Sequence, residues 1–99
     1  MPLANDDKAL LLNITRQTVE SYIKTRKIPS FDVQEPALLE RRGVFVCIKE
    51  SGELRGCIGV FTSDKPLYLT VVDMAVCAST QDPRFSPLIP SKLSKISIE

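Results

Sequence analysis

There is no histidine in these 99 residues. That absence excludes a Cys/His or Ser/His/Asp catalytic set built from this chain alone, and it removes the commonest metal ligand. Cysteine is sparse as well. Cys47, Cys57 and Cys77 stand at no metal-ligand spacing, and an odd count without a secretory leader argues against a disulfide framework. The N-terminal stretch MPLANDDKALLL lacks the basic-then-apolar order of a signal peptide, so the expected location is cytoplasmic. No apolar run approaches the roughly 18 residues of a membrane span. Net charge is only +1, which leaves no general electrostatic pull on nucleic acid or on an anionic membrane. No glycine-rich phosphate loop is present, and neither a metal nor a cofactor is expected. What remains is a chain long enough for one small domain with its own core.

The punctuation along that chain is clear. Asn5-Asp6-Asp7 offers capping oxygens and negative charge where a helix should start. Leu11, Leu12, Val19, Tyr22 and Ile23 form an apolar stripe behind it, and Pro29 stops the helix. Residues 28–43 read as loop, with a short helical turn at Glu35–Glu40. Ser63-Asp64-Lys65-Pro66 opens a second long helix, whose buried face carries Leu67, Val71, Met74, Ala75 and Ala78. Gln81–Phe85 turns the chain, Pro90–Leu93 makes a short helical turn, and Ile96–Glu99 alternates as a half-buried strand does. The chain stops within that strand. The expected domain therefore spans 1–99 and is cut short at its C-terminal end, leaving a sheet edge through which two copies could associate.

Between the helices lie VFVCIKE and LRGCIGVF, joined by a turn at Ser51-Gly52, which together predict a hairpin. A plain two-residue loop pairs Glu50 with Glu53, Ile48 with Arg55 and Val46 with Cys57. In that register Cys47 and Cys57 point to opposite faces, which disfavours a bridge between them. A bulge in the loop would shift the pairing by one and exchange the faces. Both faces are apolar, so the hairpin is expected to be covered on both sides, with LRGCIG on a central strand.

Leu54-Arg55-Gly56-Cys57-Ile58-Gly59, followed one helix later by Asp82-Pro83-Arg84-Phe85-Ser86-Pro87-Leu88, resembles the AMMECR1 family. Gly43-Val44-Phe45-Val46, Pro66-Leu67-Tyr68 and Ile96-Ser97-Ile98-Glu99 fit the same order. The resemblance implies an α+β fold, a mainly antiparallel sheet flanked by helices, in a domain roughly twice this length. Cys47 departs from the threonine that many members carry, and Asp73 from a frequent glutamate. The family's biochemical activity is unsettled. Its microbial members are associated with a radical-SAM protein and a dioxygenase-like partner of the MEMO type, which makes those the implied protein partners.

Each residue of the hallmark has two readings. Cys57 is either a nucleophile or redox thiol activated by Arg55, or a small buried side chain made inert by its apolar setting. Gly56 and Gly59 mark either a ligand's close approach or a helix packed tightly on the strand, with Ala75 and Ala78 as the small residues opposite. Arg55 either pairs with Asp73 or Asp82, or holds an anionic ligand. Asp82 and Arg84 are either turn chemistry with a local ion pair, or the rim of a site around Cys57. Cys77 is expected in the core. The balance favours a ligand-binding or interaction module with a regulatory role and a cleft near LRGCIG. The alternative is a thiol-dependent transferase or hydrolase acting through Cys57.

Overall fold

The computed structural model describes residues 5–82, 84 and 88–98. Pro83, Phe85, Ser86, Pro87 and Glu99, which belong to the turn and strand expectations above, lie outside them. Helix α1 spans Asn5–Thr25, with Asp6 and Asp7 in its first turn and Lys24 in its last, the charge order its dipole favours. It ends before Pro29, at Arg26, which takes a left-handed φ of 61° and donates its N–H to the Tyr22 carbonyl. The buried face of α1 differs from the expected stripe. Leu11, Ile14, Thr15, Thr18, Val19 and Ile23 point inward, while Leu12 is 44% exposed. The two threonines can occupy that face because each hydroxyl donates to the carbonyl one turn back, Thr15 to Leu11 at 2.7 Å and Thr18 to Ile14 at 2.8 Å.

A short helix α2 (Pro36–Leu39) drops Leu38 into the core. Strands β1 (Val44–Glu50) and β2 (Glu53–Val60) then form the hairpin. Ser51 and Gly52, at φ 51° and 86°, carry the two left-handed residues of a type I′ turn, whose twist matches that of the strands. Helix α3 (Leu67–Thr80) follows, then a 3-10 turn (Pro90–Lys95) and strand β3 (Ile96–Ile98). The strands are antiparallel in the order β2-β1-β3. The fold is α+β, and none of its described helices is long and apolar enough to cross a membrane.

The hairpin's register departs from the plain pairing. Glu50 faces Glu53 and Lys49 faces Leu54, but Ile48 faces Gly56, so Arg55 is an extra residue in β2. This bulge lies beyond the turn rather than in it, and it shifts everything past it by one. Gly56 and Ile58 consequently join Val46 and Ile48 on one face, and Cys57 and Gly59 join Cys47 and Phe45 on the other. LRGCIG thus runs along an outer strand of this sheet, and β1 is the central one.

Among the described residues, the helices cover one face of the sheet. Val46, Ile48, Ala75, Ala78, Val19 and Ile23 share one core cluster, and Leu11, Ile14, Leu38, Leu67, Val71 and Val72 form a second with Val44 against it. Neither cluster draws on Phe45, Cys47, Cys57 or Gly59. The expectation of a doubly covered hairpin is therefore corrected. The apolar character of the second face is real, but among the described residues it is left open, with Phe45 50% and Leu54 43% exposed.

Candidate functional site

The bulge decides what the hallmark cysteine meets. With the register advanced by one, Cys57 lies directly across from Cys47, their Cα atoms 4.0 Å apart, and the two sulfurs are bonded. The expected separation of these residues onto opposite faces is overturned for that reason. Cys57 is half-buried and its thiol is occupied, and no described hydrogen bond reaches its Sγ. Cys77 is the free cysteine. It is half-buried rather than deep in the core, and burial followed by the nearby Asp73 carboxylate pushes its thiol above the ordinary value. The oxidised protein is accordingly expected to show one slowly reacting thiol, and three after reduction, by alkylation and intact mass. Three fast thiols without reductant would remove the Cys47–Cys57 bond from this description.

The two glycines have found protein neighbours. A Cβ on Gly56 would fall 2.1 Å from the Ala78 carbonyl oxygen, so glycine here lets α3 lie against β2. Of the two small residues expected opposite the strand, Ala78 is the one that meets Gly56. A Cβ on Gly59 would strike the ring of its cross-strand partner Phe45 and the Val44 carbonyl, both at 2.4 Å.

Arg55 is claimed by Glu50, Nε to Oε1 at 3.4 Å, on side chains about one-fifth exposed. Glu50 also accepts from Lys92 at 3.1 Å, and this bond, ahead of the surrounding cations, lowers its pKa. Asp73, the first candidate partner for Arg55, pairs instead with Lys65 at 2.7 Å.

Asp82 and Arg84 make the closest link between the two family motifs. Asp82 is buried, and its Oδ2 accepts the Cys57 backbone N–H at 3.1 Å and the Arg84 Nη2 at 2.7 Å. Its Oδ1 accepts from the Arg84 backbone N–H and from Nε. Arg84 Nη2 also donates to the Cys57 carbonyl at 3.2 Å. Both backbone groups of Cys57 are thereby taken by one acid and one guanidinium, which do for the outer edge of β2 what a neighbouring strand would do. At Cys57 that edge is closed to strand addition. The guanidinium, and after it the two backbone donors, holds the Asp82 carboxyl well below its usual range.

One organising residue was not visible in the sequence. Arg16, halfway along α1, donates to the carbonyls of Leu93 at 2.6 Å and Ile96 at 2.9 Å and pairs with Glu20 at 2.7 Å. It ties the first helix to the start of β3. Nothing in its local context signals that role, because the partners lie 77 and 80 residues away.

The motifs joined at Cys57 and the sheet that carries them define a class of fold, and comparison with known proteins identifies it. The AMMECR1 family model matches residues 12–99, and this chain belongs to that family. A protein of Methanothermobacter thermautotrophicus is 37% identical over 99 residues, covering 99% of this chain and 52% of its own length. One from Methanosarcina barkeri is 41% identical over 93 residues, 89% of this chain and 46% of its own. The crystal structure of the uncharacterized protein PH0010 from Pyrococcus horikoshii superposes with a TM-score of 0.89 at 29% identity, over 97% of this chain and 50% of that one. The chain thus spans about half the length of the relatives it matches.

Proposed function

We propose that this chain acts as a polypeptide-interaction module of the AMMECR1 family, offering the face of its hairpin opposite the helices. One observation carries the reading. Phe61 is 90% exposed and meets the half-exposed Phe45 edge-to-face, with centroids 5.2 Å apart. An aromatic pair standing in water, on a hairpin face whose far end carries the exposed Leu54, is the kind of apolar feature that marks a contact surface. A small anionic ligand at LRGCIG has less in its favour. The spaces beside Gly56 and Gly59 are filled by protein atoms, Arg55 is engaged by Glu50, and Arg84 by Asp82. Covalent chemistry at Cys57 would first require reduction of its bond to Cys47 and then a base.

The site of action on this reading is the cytosol, and the role is regulatory. The partners to try first are the radical-SAM and MEMO-type proteins with which the family is associated. Capture of either by the tagged chain is expected to fall by roughly tenfold in Phe61→Ser, the scale of a lost aromatic anchor. The thermal midpoint should stay put, since Phe61 lies outside both core clusters. Equal recovery with the variant would count against this face.

A further inference from the structure

The Cys47–Cys57 bond has little of the setting of a structural staple. Both cysteines are half-buried on the hairpin face away from the described helices, and neither belongs to a core cluster. The bond joins residues only 10 apart in sequence. A cross-link that closes so short a loop restrains the unfolded chain less than one that closes a long loop. The same two residues are held opposite each other without it. Strand pairing runs from Val44 opposite Val60 to Glu50 opposite Glu53, around the Ser51-Gly52 turn. Gly56 is packed against Ala78, and the Cys57 peptide is clasped by Asp82 and Arg84. Breaking the bond therefore leaves two thiols facing each other in a folded hairpin.

We propose that Cys47 and Cys57 form a redox-exchange site, opened in the folded protein by a dithiol reductant and closed again by thiol–disulfide exchange. In the opening reaction one thiolate of the reductant attacks one sulfur of the pair, and the Cys47–Cys57 bond breaks as a mixed disulfide forms. The reductant's second thiol then attacks its own sulfur in that mixed disulfide. The reductant leaves as a cyclic disulfide, the protein keeps two thiols, and two electrons and two protons have passed to the cystine. Geometry selects the class of reductant. After the first attack the freed cysteine still faces its mate across the ladder, so its sulfur has a high effective concentration at the mixed disulfide and expels a monothiol. A dithiol escapes that reversal because its second sulfur is held equally near. This chemistry stands apart from the contact face proposed above, since it needs neither Phe61 nor a bound polypeptide.

The test follows reduction of the oxidised 99-residue chain by dithiothreitol, read by alkylation and intact mass. The folded chain is expected to open within about tenfold of the rate in denaturant, because no core cluster has to open first. A bond reached only through global unfolding would lag by roughly a thousandfold or more, and that lag would overturn the proposal. Glutathione at the same thiol concentration should leave at least about tenfold less of the pair reduced, and equal opening by the two reductants would refute the selection of dithiols. Amide NMR of the reduced chain should keep the pairing of β1 with β2, and its loss on reduction would overturn the proposal too. Closing is tested with glutathione disulfide in a Cys77→Ser background, which removes the third thiol. The reduced pair should return to its bond with no lasting adduct. Cys47→Ser and Cys57→Ser, each without the resolving sulfur, should instead keep one glutathione; either variant that folds suffices for the comparison. A lasting adduct on the intact pair would mean that the cysteines do not face each other, and no adduct on a folded single variant would mean that thiols cannot reach them. Either result refutes the site.

Discussion

Gly56→Ala is expected to destabilise the protein by about 3 kcal/mol, the upper part of the range for overpacking in a close-packed interior. The added carbon would sit 2.1 Å from the Ala78 carbonyl oxygen, and that neighbour is helix backbone, which cannot swing aside as a side chain can. Relief requires α3 to lift away from β2. That would loosen Ala75 and Ala78 from Val46 and Ile48, which share their core cluster. Denaturant unfolding measures the effect, and Gly52→Ala is the control. Gly52 has open space around it but a φ of 86°, so its replacement should cost only about 1 kcal/mol of backbone strain. If the two variants were equally mild, the approach of α3 to β2 would be looser than described.

Asp82→Asn should lower the thermal midpoint by roughly 10 °C, the scale for a small domain that loses a buried, multiply bonded carboxylate. The amide cannot serve every donor now aimed at Asp82. Its own N–H groups would face either the Cys57 N–H or the Arg84 guanidinium. The same site governs acid stability. Its folded-state pKa lies below the ordinary 3.8, so the charged form favours the folded chain. That contribution is complete above the unfolded value and disappears as pH falls through the folded one. Stability of the parent should therefore drop below about pH 4 more steeply than that of Asp82→Asn. Parallel curves from pH 6 to pH 2 would remove Asp82 from this role.

Much of the fold was legible because its boundaries are marked by residues with strong local chemistry. Asp6 and Asp7 start α1, Pro66 opens α3, and Ser51-Gly52 forms the turn of the hairpin. The inner face of α1 was read less well. Ile14 is flanked by threonines whose burial depends on bonds back to the helix itself, so the polar letters concealed an inward face. Register was the larger gap. A one-residue bulge leaves little local mark, and here it falls on an arginine whose partner, Glu50, is on the opposite strand. That single extra residue changed which face Cys57 occupies and brought it against Cys47. The link from Asp82 to Cys57 was legible only as two motifs of one family. Its geometry depends on α3 delivering the turn to the edge of β2.

Arg16 has a consequence for the order in which the molecule assembles. It grips the carbonyls of Leu93 and Ile96 from a helix that leaves the ribosome long before them. While the chain is being made, α1 and the hairpin can collapse around Val19, Val46 and Ile48, but the guanidinium has only Glu20 of its own helix as a partner until Leu93 and Ile96 emerge. The third strand is consequently a late arrival during biosynthesis, recruited by a side chain already waiting in place. Contacts this distant in sequence slow the approach to the native state compared with a purely local helical fold of the same size.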